Sequence, residues 1–152
     1  MTAAQRYLDD FTIGETFDSP PRVLSRDVFR AFAHLTGDAH PIHDDERYAK
    51  DRNFRGPVAH GLLLASITAL GAADISRSLE SSMVAFLSQD ATFRRPVIVG
   101  DRVQPRFEVL AVDPLDETRG TLDLAVTLVG PDDLVMMEGH QRYLLRRRSS
   151  RG

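Results

Sequence analysis

The most informative absence in this sequence is cysteine, which does not occur anywhere in the 152 residues. Disulfides, thiolate metal sites and cysteine nucleophiles are therefore excluded. The N-terminal stretch as far as Phe17 has neither the basic segment nor the apolar segment of a secretory signal peptide. The longest apolar stretch, 62–75, contains several polar residues and is too short to span a bilayer. Together these absences predict a cytoplasmic protein.

A strong charge of either sign is also absent. The formal net charge is -3, which does not favour a general nucleic-acid or membrane binder. The chain has the length of one ordinary domain. Its 42% hydrophobic and 27% charged residues are typical of a globular fold. We predict a single domain over residues 1–146 and a basic, disordered tail over residues 147–152.

Hydrophobic spacing predicts two main helices separated by a polar loop. Ser25 is a suitable N-cap, apolar residues then recur at helical spacing, and Gly37 ends the first helix. Pro41 keeps the following loop from being helical, and 46–50 has room for one short helical turn. The second helix, running from Gly61 through Ile75, has apolar residues on most sides, as is typical of a buried helix.

The second half of the chain predicts an antiparallel sheet. Four strands alternate with segments rich in turn residues, and they are placed at Met83–Phe93, Arg102–Val112, Arg119–Val129 and Leu134–Leu145. A shorter strand within 17–23 is interrupted by two prolines and is expected at a sheet edge. The order predicts an α+β fold in which a curled sheet packs on one central helix. One small sheet leaves apolar surface open, so we expect a homodimer or a higher homo-oligomer.

The loop GDAHPIHDD concentrates the titratable groups. Asp44 and Asp45 are suited to cap the short helix that follows. Asp38 and His43 lie between two apolar helices, where a charge is costly without a task or a partner. A carboxylate and an imidazole there can hold a water molecule between them and move its proton near neutral pH. The backbone N–H of Gly61 can stabilise an enolate oxygen during addition of that water to an activated double bond.

Two alternative interpretations remain open for these residues: ordinary turn chemistry and a metal site. The polar loop is also what ordinary turn chemistry produces, since Asp, Gly and Pro are common turn residues. A zinc or iron site is the other alternative, because four residues of suitable type occur in this region: Asp38, His40, His43 and His60. Pro41 removes the helical alignment of His40 with His43, which weakens the metal hypothesis.

The same segment resembles a known family, the MaoC-like (R)-specific enoyl-CoA hydratases and dehydratases. The chain matches the family signature at Leu35–His43 and Ala49. That signature consists of a Gly-Asp pair, then Pro, an aliphatic residue, His and a small residue. A second block ending in His-Gly is matched at Pro57–Gly61. Weaker matches are Asp10–Glu15, Phe93–Val97 and Gly100–Asp101. Two positions differ: His40 replaces the family's Asn, and Ala69 stands where some members have Ser.

The resemblance implies the hot-dog fold, in which a long central helix is wrapped by a curved antiparallel sheet. It implies reversible hydration of a trans-2-enoyl thioester to the (R)-3-hydroxyacyl form, within fatty acid metabolism, with Asp38 and His43 as the catalytic pair and Gly61 as the oxyanion donor. The supporting residues are His40, Pro41, His60 and Ser66. No metal or redox cofactor is implied, because CoA or an acyl carrier arrives with the substrate.

Two arginines and two alternative functions complete the predictions. Arg94 and Arg95 follow a strand and are suited to bind CoA phosphates, or they are simply solvated charges at a sheet edge.

The main functional alternative is a non-catalytic hot-dog protein that binds acyl thioesters. The other alternative is a metal-dependent hydrolase.

Overall fold

The computed structural model describes residues 2–148. Its helices are α1 (Arg26–Thr36), α2 (Glu46–Lys50) and α3 (Gly61–Ser66). Its strands are β1 (Thr16–Asp18), β2 (Arg22–Val23), β3 (Met83–Phe93), β4 (Arg102–Pro114), β5 (Arg119–Val129) and β6 (Val135–Arg146). Short 3₁₀ turns lie at Leu8–Asp10, Pro41–His43, Leu70–Ala72, Asp74–Leu79 and Pro131–Asp133. No helix within this part of the chain is long and apolar enough to cross a membrane.

The sheet is antiparallel, with the strand order β1-β4-β5-β6-β3, and β2 also pairs with β4. The predicted α+β class is confirmed. The bounds of β3 and β5 agree with the prediction, whereas β4 runs two residues further and β6 is shifted by one residue. The predicted edge strand splits around Pro20 and Pro21 into β1 and β2, because proline cannot donate to a β-ladder.

The core forms where α3 and the turns after it pack on the concave face of the sheet. Leu63, Leu64 and Ala65 of α3 are buried. They belong to one apolar cluster with Leu128 of β5 and Met137 of β6. A second cluster lies under the 3₁₀ turns and includes Leu70 and Leu79. At about 0.8 kcal/mol per buried CH₂ group, this burial is the main stabilisation available to so short a helix.

The continuous central helix predicted over 61–75 is wrong, because α3 ends at Ser66. Gln141 of β6 donates to the Thr68 carbonyl at 3.0 Å and to its hydroxyl at 3.1 Å. In a continuous helix that carbonyl would accept from Ala72, whose N–H binds Ala69 O at 3.0 Å instead. The segment is also less buried than predicted, since Leu62 is 71% exposed.

Both chain ends of the described part meet on one side of the sheet. Arg147 donates to the Asp9 carboxylate at 2.8 Å, and the backbone N–H of Arg148 donates to the same group at 2.9 Å. The hydrogen bond from Arg147 lowers the pKa of Asp9. Arg147 and Arg148 are the two described residues of the predicted tail, and residues 149–152 lie outside the described residues.

Candidate active site

The polar loop is held in place from both of its ends. Gly37 ends α1 in the left-handed conformation, at a φ of 80°, which glycine adopts without a Cβ penalty. His40 then caps the 3₁₀ turn Pro41–His43, since its Nδ1 accepts from the backbone N–H of Ile42 at 3.2 Å. Pro41 occupies the first position of that turn, where its fixed φ is compatible with a helical start. His40 therefore makes the kind of cap that an Asn side chain would make there.

The capped turn directs His43 toward Asp38. His43 Nε2 lies 3.8 Å from the Asp38 carboxylate. On the other side of the ring, His43 Nδ1 donates to the carbonyl of Val58 at 2.7 Å. This bond leaves the Nε2 of a neutral His43 without a proton, so a lone pair faces the carboxylate. The His43 side chain is 15% exposed and that of Asp38 53%, so the pair lies at the surface end of a partly buried site.

His60 lies beneath this pair and is 2% exposed. Its Nε2 donates to the backbone carbonyl of Asp38 at 2.9 Å. Its ring stacks on that of His43, with centroids 3.6 Å apart and planes 17° from parallel. Phe29 and Phe32 of α1 also lie beside the ring, with centroids 6.5 Å and 4.9 Å from its own. The other nitrogen, His60 Nδ1, is buried and has no hydrogen-bond partner within the described part of the chain.

Gly61 begins α3 directly after His60. The N–H groups in the first turn of a helix have no partner inside the helix, and that of Gly61 meets no acceptor among residues 2–148. A Cβ at this position would lie 3.1 Å from the ring of Phe93. Glycine therefore allows Phe93 to pack against the start of α3. Both residues line a cavity of about 350 Å³ together with Val58, Leu64 and Arg94.

A smaller apolar cavity lies beside His43. It measures about 230 Å³ and is lined by Phe29 and Ala33 of α1 and by Ala39, His40 and His43 of the loop. The salt bridge between Arg30 and Asp44, at 2.7 Å, forms one edge of this cavity. The hydrogen bond from Arg30 lowers the pKa of Asp44.

The structure brings together only part of the predicted site. Asp38, His43 and His60 form one group, Gly61 directly follows His60 in the chain, and His40 and Pro41 support the loop. Ser66 lies apart from that group, because its hydroxyl donates to the Leu63 carbonyl at 2.8 Å within α3. Asp45 caps α2, as predicted, by accepting from the Tyr48 N–H at 3.0 Å.

The two predicted phosphate-binding arginines lie beside the larger cavity, and both have protein partners. Arg94 forms an ion pair with the carboxylate of Glu138. Arg95 donates to the carbonyl of Val135 at 2.7 Å. Both arginines line the cavity that reaches Gly61. A phosphate group there would therefore compete with protein acceptors for at least part of each guanidinium.

Two residues of the site were not predicted from the sequence. The carbonyl of Val58 orients His43, and the ring of Phe93 packs on Gly61. Val58 acts through its backbone carbonyl, which every residue carries, so its side chain provides no signal. Phe93 was available as an apolar residue at the end of a predicted strand. Its contact with Gly61 depends on the long-range packing of β3 beside α3.

The metal hypothesis can be tested on the geometry of its ligands. Asp38, His43 and His60 each offer a ligand atom, all within 4.8 Å of one another. The lone pairs of an imidazole lie in the plane of its ring, and the two ring planes here are nearly parallel and stacked. Those lone pairs do not converge on one ion, and His60 Nε2 already donates to a carbonyl. The arrangement therefore fits a metal poorly.

Comparison with known proteins identifies the family. Residues 10–129 match the MaoC like domain. A 3-hydroxybutyryl-CoA dehydratase of Methylorubrum extorquens is 33% identical over 130 residues, which cover 86% of this chain and 78% of that protein.

Two solved structures have the same architecture. One is a monoamine oxidase regulatory protein from Archaeoglobus fulgius, with a TM-score of 0.87 and 29% identity over 97% of this chain and 99% of the other. The other is an (R)-hydratase from Aeromonas caviae, with a TM-score of 0.75 and 26% identity over 88% of this chain and 96% of the other. The chain belongs to the MaoC-like dehydratase family and has the hot-dog fold that its sequence predicts.

Proposed function

We propose that this protein catalyses the reversible hydration of a trans-2-enoyl-CoA to an (R)-3-hydroxyacyl-CoA. The observation that carries the proposal is the pairing of Asp38 with His43, in which the Nδ1 of His43 is bound to the Val58 carbonyl and its Nε2 faces the carboxylate. At 3.8 Å the two groups are slightly too far apart for a direct hydrogen bond. An oxygen atom of water or of a hydroxyacyl group can contact both.

In the dehydration direction, His43 Nε2 accepts the proton from C2 of the hydroxyacyl group. The electrons move onto the thioester oxygen, the bond between C3 and the hydroxyl breaks, and the proton returns through the His43–Asp38 pair to the departing oxygen. The products are the enoyl thioester and one water, and the protein regains its starting protonation state. In hydration the same steps run in reverse, with Asp38 orienting the water that attacks C3.

The thioester oxygen gains negative charge in either direction and needs a donor. We propose that the Gly61 N–H supplies it, because this N–H has no acceptor among the described residues and lines the larger cavity. The acyl carrier would extend along that cavity toward Arg94 and Arg95, whose guanidinium groups are suited to phosphate. No metal or redox cofactor is required for this chemistry.

We also propose that the functional unit is a homodimer. Within the described residues β3 pairs with β6 on one side only, so its other edge is open. Four large apolar side chains of this strand are about half exposed: Val84, Phe86, Leu87 and Phe93. A long edge strand with exposed apolar residues favours association. Sedimentation of the wild type and of Leu87→Lys tests this, and a wild type that remains monomeric at micromolar concentration contradicts it.

The direct test of activity is the loss of enoyl absorbance when the purified protein meets trans-2-enoyl-CoA substrates from short to long chain. We expect consumption by the wild type and almost none by Asp38→Asn, which keeps the size of the side chain and removes its charge. The dependence of rate on chain length would then define the preferred acyl group. Failure of the wild type to consume any member of the series would contradict the proposal.

One observation favours a second function, the binding of acyl thioesters without turnover. The similar structure from Archaeoglobus fulgius is described as a regulatory protein. In addition, no Ser hydroxyl reaches Asp38 from the central helix within the described residues, since Ser66 bonds to its own helix. Calorimetric binding of an acyl-CoA without consumption of any enoyl-CoA would support this alternative.

Stoichiometric zinc or iron in the purified protein would instead support a metal-dependent hydrolase.

A further inference from the structure

We infer that His60 is a positioning residue for the Asp38–His43 pair, and that a histidine occupies this position for that task rather than for folding. The inference rests on the proposed function and assigns a specific role to a side chain that does not contact the reacting atoms. Three separate observations carry it: a hydrogen bond to Asp38, a stacked contact with His43, and an unpartnered buried nitrogen.

The hydrogen bond fixes the backbone of the carboxylate residue. Asp38 belongs to an exposed part of the loop. Among the described residues its side chain accepts only a 3.4 Å contact from the N–H of His40 besides its approach to His43. The bond from His60 Nε2 to the Asp38 carbonyl therefore connects this exposed loop to a buried residue directly before α3. Without it, the carboxylate would be free to move away from His43 with the loop.

The stacked contact fixes the plane of the general base. His43 is bound at Nδ1 to Val58, which holds one point of the ring but allows the ring to tilt about that bond. The ring of His60, 3.6 Å away and nearly parallel, occupies the space into which His43 would tilt. Together, the carbonyl and the stacked ring determine where Nε2 points. A displacement of about 1 Å at a reacting group can cost about 100-fold in rate.

The unpartnered nitrogen bears on why this buried residue is a histidine. Nε2 donates to the Asp38 carbonyl, and Nδ1 is buried without a hydrogen-bond partner among the described residues. Leaving a buried polar atom unpaired is costly. An apolar side chain would fill this space without leaving any buried nitrogen unpaired. Packing alone therefore does not explain a histidine here.

Two substitutions separate the contacts. His60→Phe retains a ring to stack on His43 and removes the donor to Asp38. His60→Gln retains an amide N–H near the position of Nε2 and removes the ring. We expect each to fold, with kcat lowered by up to about 100-fold and KM nearly unchanged, because the thioester-binding surface is left intact. His34→Gln, a change of the same type at an exposed position on α1, is the matched control and should keep wild-type kinetics.

The kinetic outcome is judged against the thermal midpoint of each variant. Loss of kcat in both variants at a near wild-type midpoint supports positioning by His60. Wild-type kcat in both variants would overturn it, and so would a fall in activity that only follows the loss of folded protein.

NMR spectra of the variants test this inference independently of the proposed reaction. The ring protons of His43 lie over the face of His60, so their NMR signals should move downfield in His60→Gln and remain close to wild type in His60→Phe. Unchanged His43 signals in His60→Gln would overturn the stacked arrangement. If the wild type consumes no enoyl thioester, the proposed reaction fails, while these spectra still decide whether His60 holds His43.

Discussion

Residues 2–148 contain two Asp–His pairs, and the tighter one is not in the candidate site. Asp90 and His140 face each other at 3.1 Å on adjacent strands, with side chains 66% and 64% exposed. Asp38 and His43 are 3.8 Å apart, and the imidazole is largely buried. The first pair has water on most sides, whereas the second has a carbonyl on the far nitrogen and a ring against its face.

This difference shows that proximity alone does not make a catalytic pair. In an exposed pair, solvent screens the charges and either side chain can rotate away, so such pairs contribute little. In the site, one nitrogen of His43 is committed to Val58, and this determines which nitrogen is available for proton transfer. Gly61, whose N–H has no acceptor among the described residues, directly follows the His60 that stacks on His43.

The largest expected effect comes from breaking the site pair itself. Asp38→Asn and His43→Gln should each reduce kcat by about 100- to 10,000-fold, which is the usual contribution of a general acid or base. Both changes retain side-chain size, and circular dichroism should show an unchanged fold. Either variant with near wild-type turnover would show that the pair is wrongly assigned.

Gln141 is a buried polar residue with no proposed catalytic role, and it extends the comparison to folding stability. Gln141 is 3% exposed and joins the Thr68 carbonyl to the Tyr143 hydroxyl, which donates to it at 2.7 Å. Gln141→Leu should lower the free energy of unfolding by about 1–3 kcal/mol, because it leaves these buried groups unpaired. Urea unfolding measures this value, and no change would mean that water or a shift of α3 satisfies both groups.

The same network predicts a response to alkaline pH. Burial raises the pKa of Tyr143 from 10.0 to about 12. Since the folded value is the higher one, the stability gained by a neutral Tyr143 is fully present below pH 10 and is lost as the pH rises toward 12. Urea unfolding at neutral and alkaline pH should show a smaller alkaline loss in Tyr143→Phe than in the wild type. An equal loss in both proteins would contradict this assignment.

His40 caps the turn Pro41–His43, and two substitutions test whether this cap positions His43. His40→Asn can still accept from Ile42 and should keep most of the activity. His40→Leu removes the cap, at a cost of about 1 kcal/mol. We expect kcat to fall by up to about tenfold in the Leu variant, because the turn holding His43 becomes less ordered. Equal kinetics for the two variants would show that the cap does not position His43.

The smallest effect is expected at the exposed pair. Asp90→Asn and His140→Gln should leave kcat unchanged and alter the free energy of unfolding by less than about 1 kcal/mol. Kinetics and urea unfolding of the two variants provide the baseline for the same substitutions at Asp38 and His43. A large loss of activity in either would place this pair, not the loop, at the reaction.

Local patterns in the sequence were sufficient for most of the framework. The alternation in β5, the stop at Gly37 and the proline break between β1 and β2 each depend on residues close together in the chain. The grouping of Asp38, His43 and Gly61 was also accessible, because the loop and the His-Gly step carry their chemistry in residue types and in the family resemblance. Residue types alone left the metal and acid–base interpretations both open.

The sequence by itself therefore determined the class of fold, the strand positions and the residues suited to proton transfer, because these follow from periodicity, turn chemistry and side-chain type. Only the tertiary structure decided where the central helix ends and which nitrogen of His43 is free. The first depends on Gln141 reaching Thr68 from β6, and the second on the Val58 carbonyl. In both contacts a side chain binds the backbone carbonyl of a segment distant in the chain. Every residue has such a carbonyl, so local sequence patterns do not specify which one is bound.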